Sequence, residues 1–389
     1  MKIKDISITK VTVPFKEPEM FSTGFRNGIN TLLITILTDS GIVGIGESIG
    51  RPSPEVVEAA IISMKEYLLN RDIETIEAIL CDLKHLGGWH YFPRVGNIAI
   101  AGIEMALWDI KGKKCNQPLY NLFGGLVRDQ IPLMYYLFRC EIDEMVDRSK
   151  KAVLSGYKTI YFKVGQNIQE DIKAVKAIRE SIGKEIAIRI DANEAWSSGA
   201  AVRIIKEMEE YQLEWVEQPT PSYDVNGLAK VRKSVKTPIA ADQGCWTIHD
   251  VYNILHHEAA DVLVLDPYKT GGLWEYKKAA AVAESAAVPV NHHAWGELGV
   301  GLFAGAHVIA STTNFLYANQ SYILNLIDDV IEGGLPHVQD GNLPIPIGVG
   351  IGVTLDPERV RESARRYQLE GACQSRIPFE KKLVTVPKI

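Results

Sequence analysis

The sequence predicts an α/β protein: a (β/α)8-type (TIM-like) barrel with an N-terminal α+β capping domain completed by the C-terminal tail. Three observations predict it. After about residue 126, short Val- and Ile-rich runs alternate with helical stretches, the rhythm of repeated βα units. Those runs are apolar along their whole length, as strands buried on both faces of a parallel sheet are. The first 50 residues differ, reading as β-rich runs around a hairpin turn. A chain of 389 residues, at roughly 100–200 residues per domain, accommodates two units. The expected division is 1–125 as the cap, joined by the tail from about 340–389, and 126–339 as the barrel.

In chain order, ITKVTVP and NTLLITILTDSGIVGIGES carry the first strands, with Asp39-Ser40-Gly41 as the turn. Ser53-Pro54-Glu55 then opens a helix, the serine as N-cap and the proline at the first helical position. Helical periodicity continues, with breaks, through AIAGIEMALWDIKGK to about Lys114. The barrel runs are PLMYYLF, TIYFKV, EIAIRID, LEWVE, TPIAAD, DVLVLD and VPVNHH, with FLYA at 315–318 a weaker eighth. DIKAVKAIRESI, GAAVRIIKEMEEYQ and LWEYKKAAAVAESA are helical stretches between them. From about Gly333 the Gly- and Pro-rich tail (IPIGVGIGVTLD) breaks the pattern and is expected to return to the first domain.

Composition excludes several classes of function. Lys and Arg number 42 against 48 Asp and Glu, a net charge of −6, which argues against nucleic-acid or anionic-membrane partners. Cys81, Cys115, Cys140, Cys245 and Cys373 are scattered without CxxC spacing, so neither a disulfide framework nor a zinc site is expected and a reducing compartment fits. MKIKDISITKVTVP has no apolar stretch long enough for a signal sequence, and no run of about 18 apolar residues occurs. A cytoplasmic location is expected.

In such a barrel chemistry collects where strands finish. Lys163 ends TIYFK, Asp191 ends IAIRID, Glu217 ends LEWVE, Asp242 ends PIAAD, Asp266 ends VLVLD, and His293 lies just past VPVNH. They are spaced by 28, 26, 25, 24 and 27 residues, one βα unit each, so all six should face a common space. Singly, each has a bland explanation: an Asp after a strand is often a cap or turn residue, Lys163 a solvated edge, His293 a core imidazole, Asp266 a cap on the Thr270-Gly271-Gly272 loop. Jointly, three carboxylates on adjacent strands would repel unless a cation sits among them. Asp191, Glu217 and Asp242 are therefore the expected ligands of one Mg2+ per site. Lys163 on one flank, its pKa lowered by the ion, is the expected base. Asp266 with His293 on the other flank is the expected acid, the carboxylate fixing the tautomer. His292 is adjacent and is an open alternative to His293. A metal between a base and an acid is what proton removal next to a carboxylate needs, since the enediolate charge must be stabilised as it forms.

These residues resemble the enolase superfamily, in particular its mandelate racemase/muconate lactonising branch, over nearly the whole chain. The likeness rests on IEMALWDIKGK…PLYNLFGG, FKVG, DANEAW, WVEQP, AADQ and DPYKTGG followed by PVNHH. It implies Mg2+ on Asp191, Glu217 and Asp242, Lys163 as the second lysine of K-x-K, the Asp266–His293 dyad opposite, and a homo-oligomer. That superfamily sets a Lys or His base with Mg2+ against an ene-diolate. Three positions depart from the pattern: Tyr161 replaces the first lysine of K-x-K, Gln243 follows Asp242 where an acid is common, and Tyr317 stands near where racemase-like members place a glutamic acid. These argue against mandelate racemase activity itself.

The expected reaction is dehydration of a sugar acid to a 2-keto-3-deoxy acid. The resemblance implies that acid-sugar dehydratases combine a lysine with a His–Asp dyad, and the loops FSTGFRNG and SIGRPSPE are polar and bear Arg26 and Arg51. The alternatives are racemisation or epimerisation of a 2-hydroxy acid or amino acid derivative by Lys163 and His293, or a metal-dependent binding protein without turnover. Tyr161, Asn193, Lys269, Trp295, Tyr317, Arg26 and Arg51 are the candidate substrate contacts, the two arginines weighed against being surface charges. Gly44-Ile45-Gly46 is a bare GxG better read as a hairpin strand than a dinucleotide loop. Gly271-Gly272 could hold a phosphate at a helix start, but a tight βα turn explains it equally. No GxSxG nucleophile motif occurs.

Overall fold

A computed structural model describes residues 1–22, 24–86 and 93–373. Its N-terminal part is an antiparallel sheet of β1 (Ile3–Phe21), β2 (Gly24–Thr38) and β3 (Val43–Ile49), in that order. The β2–β3 turn falls at Asp39-Ser40-Gly41, where Gly41 takes φ +86°, a left-handed conformation open to glycine at no steric cost. Helix α1 (Pro54–Leu68) starts where its sequence dictates, the Ser53 hydroxyl accepting the Val56 N–H at 3.5 Å. Helices α2 (Ile76–Leu86) and α3 (Arg94–Cys115) follow. Helix α3 is buried along most of its length because it touches β2 and β3 and also barrel helices. The approach is close: a Cβ on Gly46 would lie 2.0 Å from the Gly102 oxygen. The Gly44-Ile45-Gly46 stretch is thus a strand pressed on a helix.

After α4 (Leu119–Leu122) the expected run PLMYYLF divides. Its beginning falls in β4 (Gln130–Pro132), while β5 (Tyr135–Tyr136) enters the barrel. Then come α5 (Ile142–Leu154), β6 (Thr159–Lys163), α6 (Ile168–Ile182), β7 (Ala187–Asp191), α7 (Ser198–Met208), β8 (Trp215–Glu217), α8 (Val225–Ser234), β9 (Ile239–Ala241) and α9 (Ile248–His256). Strand β10 (Val262–Leu265), α10 (Pro267–Thr270), α11 (Leu273–Ser285), β11 (Val290–His292) and α12 (Gly299–Ala310) complete the series. The seven strands β5 to β11 form one parallel sheet in sequence order. The FLYA segment closes it through single parallel bridges, Phe315 to Val290 and Asn319 to Leu133.

The tail reaches back to both units. Strand β12 (Asn342–Pro344) pairs with β4, Ile351 N–H donates to Asp109 Oδ1 on α3 at 2.9 Å, and α13 (Pro357–Glu370) packs on β1. Two buried carboxylates pin the N-terminal part to the barrel. Glu47 on β3 accepts the Leu298 and Gly301 N–H groups at 2.7 and 2.8 Å where α12 begins. Glu104 on α3 accepts the Leu273 and Trp274 N–H groups at 2.7 and 2.9 Å where α11 begins. Unpaired N–H groups at a helix start favour an acid there. Burial nevertheless pushes Glu47 up to about 8 and Glu104 up to about 7. Because Glu104 fills the start of α11, the Gly271-Gly272 turn is a tight turn and not a phosphate cradle. Among the described residues, no helix is long and apolar enough to cross a membrane.

Candidate active site

Parallel pairing sets the strand ends level. Lys163 stands opposite Asp191, and Asp191 opposite Glu217. Asp191 Oδ2 accepts Lys163 Nζ at 2.5 Å, the Tyr161 hydroxyl at 2.8 Å and Asn193 Nδ2 at 2.9 Å, while Oδ1 accepts Asn193 N–H at 2.7 Å. Glu217 accepts Gln320 Nε2 at 3.0 and 3.3 Å. Asp242, one residue beyond β9, accepts Lys269 Nζ, which also donates to the Asp242 and Val264 carbonyls at 3.1 and 2.9 Å. Asp266 carries both roles weighed from sequence, one on each oxygen. Its Oδ1 caps α10 through Lys269 N–H at 2.7 Å, and its Oδ2 lies 2.8 Å from His293 Nδ1. His293 Nε2 is 3.8 Å from Asp242 Oδ2. His292 instead sits in the core, its Nδ1 3.0 Å from the Tyr276 hydroxyl, and burial lowers it to about 4. The structure therefore puts His293, and not His292, on the cavity wall.

Charge is distributed unevenly. Burial, then the Asp191 and Asp242 charges, push the Glu217 carboxyl well above the usual range. Burial works the same way on Asp242, but His293 and Lys269 hold it below that range; Lys269 and His293 do so for Asp266. At Lys163 the protein's own groups act against the lowering expected from sequence. Burial disfavours the ammonium, yet Asp191 foremost holds its pKa above the ordinary value. The four buried carboxylates Asp191, Glu217, Asp242 and Asp266 meet two ammonium groups, Lys163 and Lys269. Counted with every carboxylate ionised, these six groups carry a formal excess of two negative charges, which the raised Glu217 shows the protein alone does not offset, and hard oxygen donors with that excess suit Mg2+. As the side chains lie, no three of the described His, Cys, Asp and Glu residues form a metal-holding group; Lys163 draws on Asp191 from the β6 side and Lys269 on Asp242 from the β10 side. The donor set fits the ion in chemistry and in charge.

Above these groups lies a cavity of about 350 Å3. Lys163, Asn193, Asp242, Lys269, His293 and Trp295 line it from the barrel, with Arg26 and Arg51 from the N-terminal part. Asp191, Asp266 and Tyr161 stand behind that wall, joined to it through Lys163, Asn193, Lys269 and His293 by the hydrogen bonds above, and Glu217 stands behind it held by Gln320. Tyr317 is not on it. Its ring packs edge-on against Trp215 at 5.0 Å between centroids, with the Arg189 guanidinium 5.6 Å away, so it belongs to the interior layer two residues below Asp191 and Glu217. The residue that reaches the site from the eighth segment is Gln320, three positions on, where the chain turns back over the strand ends. Arg26 is no surface charge: 5% exposed, it pairs with Glu19, donates to Tyr322, and lies 3.4 Å from the Trp295 oxygen. Sequence reasoning missed Glu19, Arg94, Trp246, Gln320 and Tyr322. Gln320 was within reach had the strand-end rule been extended to the eighth run; Glu19 near the end of β1, Arg94 at the start of α3, and Trp246 and Tyr322 in loops follow no repeating pattern.

Comparison with known proteins places this architecture. Residues 3–124 match the mandelate racemase / muconate lactonizing enzyme N-terminal domain and residues 144–360 the enolase C-terminal domain-like family. The L-Ala-D/L-Glu epimerase of Bacillus subtilis is 33% identical, over 91% of this chain and 97% of the relative. The arabinonate dehydratase of Saccharolobus solfataricus is 31% identical over 82% and 87%. A dipeptide epimerase from Enterococcus faecalis, solved with Mg and the dipeptide L-Leu-L-Tyr, superposes with a TM-score of 0.85 at 28% identity, covering 91% of this chain and 100% of that one. The chain belongs to the mandelate racemase/muconate lactonizing enzyme family of the enolase superfamily. It is an enzyme of the proton-abstracting kind, an isomerase or lyase acting on a small molecule, which sets aside the reading as a binding protein without turnover.

Proposed function

We propose that this enzyme removes the proton α to the carboxylate of a polyhydroxy (sugar) acid and expels the β-hydroxyl, giving a 2-keto-3-deoxy acid. The observation that carries it is the Asp266–His293 pair across the barrel mouth from Lys163. Four strands separate β6 from β11 in the sheet order, and the closing FLYA segment and β5 lie on the other side, so the amine and the imidazole flank a bound substrate from opposite sides. Asp191, Glu217 and Asp242 would hold Mg2+, which when bound neutralises the charge that develops on the substrate carboxylate. Lys163, which Asp191 holds as an ammonium when the ion is absent, would take the α-proton on Nζ in its neutral form, reached when Asp191 is committed to the metal. Asp266 accepts from His293 Nδ1 and so directs Nε2 toward the cavity, where the protonated ring can give its proton to the departing hydroxyl. Water leaves, and the enol so formed becomes the ketone. The polar wall, with Asn193, Gln243 and three arginines, favours a hydroxylated acid over an apolar one.

The test is a library of sugar acids with Mg2+, read for 2-keto acid and for α-proton exchange in D2O. Formation of 2-keto acid, lost in Lys163→Ala and in His293→Asn, supports the reading; exchange or inversion with no keto acid from any member overturns it. The second outcome is what proton transfer from one face to the other predicts. The opposed Lys163 and His293 also favour that chemistry, and the named epimerases among the relatives speak for it.

A further inference from the structure

The residues on either side of His293 are held by the eighth segment. His292 gives its N–H to Asn319 Oδ1 at 3.0 Å and takes the Gln320 N–H on its carbonyl at 3.1 Å. Ala294 gives its N–H to Gln320 Oε1 at 3.2 Å. The same Gln320 side chain turns Nε2 to both oxygens of Glu217, at 3.0 and 3.3 Å. The amide has one sense here: a backbone N–H can only donate, so the oxygen faces Ala294 and the nitrogen is left for the carboxylate. Asn319 and Gln320 are buried, as is Glu217, and Gln320 is not among the described residues lining the cavity. One amide therefore joins an expected metal ligand on β8 to the backbone beside the acid that follows β11, although β9 and β10 lie between those strands in the sheet.

This bridge is placed where the barrel is least rigid. The eighth segment meets its neighbours through single bridges, Phe315 to Val290 and Asn319 to Leu133, and not through a ladder, so its position leans on side-chain contacts. Carboxylates that ligate a metal are themselves hydrogen-bonded, and those partners set their orientation. We propose that Gln320 is a positioning residue that couples the orientation of Glu217 to the placement of His293, so that the metal end and the acid end of the site are set together. This rests on the metal and acid roles given above; Gln320 acts through Glu217 and Ala294.

The test uses Gln320→Met, close in size and without either polar contact. Calorimetric titration with Mg2+ in the absence of substrate reads the Glu217 half, and Kd should rise about 10- to 100-fold. Two rates at Mg2+ concentrations that saturate the variant read the other half. Exchange of the α-proton of a 3-deoxy sugar acid in D2O needs Lys163 but not the acid, since there is no β-hydroxyl to lose. Formation of 2-keto acid from the full sugar acid needs His293 as well. Exchange should return to within about threefold of wild type while elimination stays about tenfold or more below it. Gln320→Glu keeps an oxygen for the Ala294 N–H and withdraws the donor from Glu217, so its ratio of elimination to exchange should stay that of wild type. An unchanged Mg2+ Kd in Gln320→Met, equal recovery of the two rates, or a ratio about tenfold below wild type in Gln320→Glu overturns the coupling. If no sugar acid yields keto acid, the dehydration reading falls and the coupling is read from the two enantiomers of a carboxylic acid that does exchange. Exchange from the His293 face should then drop about tenfold more than from the Lys163 face in Gln320→Met, and equal losses overturn the coupling.

Discussion

Asp266 holds His293 Nδ1 at 2.8 Å with one oxygen while its other oxygen caps α10 through the Lys269 N–H at 2.7 Å. The cap fixes the carboxylate, and the carboxylate fixes the ring, so the orientation of the imidazole is set by backbone geometry and not by a mobile side chain.

Asp266→Asn keeps an oxygen for the cap but cannot both cap and accept from Nδ1–H with full charge. Turnover is expected to fall by about two to four orders of magnitude with KM little changed, as when a carboxylate behind a catalytic histidine is neutralised. Keto acid formation measures it. A Tm close to wild type identifies the loss as catalytic.

Tyr161 stands at the first lysine position of the K-x-K pattern that the sequence resembles, and its hydroxyl donates to Asp191 at 2.8 Å. Tyr161→Phe removes a partner that orients an expected metal ligand, and the Mg2+ concentration for half-maximal activity should rise by about 10- to 100-fold. Isothermal titration with Mg2+ gives the same number without turnover. Chelation of the wild type should abolish activity and lower Tm, with both restored by Mg2+.

His307 is buried on α12; its Nε2 contacts the Ile351 oxygen at 2.9 Å, the Tyr120 N–H points at Nδ1 from 3.3 Å, and burial lowers it to about 4. The unfolded chain binds this proton more readily, so the neutral ring contributes stability above its ordinary pKa of about 6.5 that is lost as pH falls toward 4. His307→Gln, which can still donate to Ile351, should lose about 2 kcal/mol less than wild type between about pH 7.5 and pH 5. Urea denaturation at the two pH values checks it; identical losses would remove His307 from the acid sensitivity.

Gly46 on β3 has the Gly102 oxygen of α3 where a Cβ would stand, 2.0 Å away. Gly46→Ala must part the sheet from the helix and should cost about 1–3 kcal/mol or more. Thermal denaturation reads this, and a Tm within a degree of wild type would contradict it.

Much of this protein was legible in its sequence, and the reason is periodicity. A parallel strand buried on both faces has to be apolar throughout, and each βα unit spends a similar number of residues returning to the same end. Lys163, Asp191, Glu217, Asp242, Asp266 and His293 are therefore placed together by counting alone. The same logic read the caps at Ser53 and Asp266, because a helix start needs a nearby acceptor whatever the fold around it.

What only tertiary structure decided are relations with no period. Adjacent histidines on a strand point to opposite faces, so His293 meets the cavity and His292 the core, but which one does depends on register. Tyr317 fell to the barrel interior and Gln320 rose to Glu217 because the eighth segment pairs through single bridges at Phe315 and Asn319. Arg26 from β2, Arg51 from the segment after β3 and Arg94 from the start of α3 line one cavity with Trp246 and Trp295, and the acids that dock the cap enter helix starts some 170 and 250 positions away in sequence. Local sequence sets strand ends and caps because they are satisfied by neighbours in the chain; contacts between distant segments are chosen by how whole elements pack.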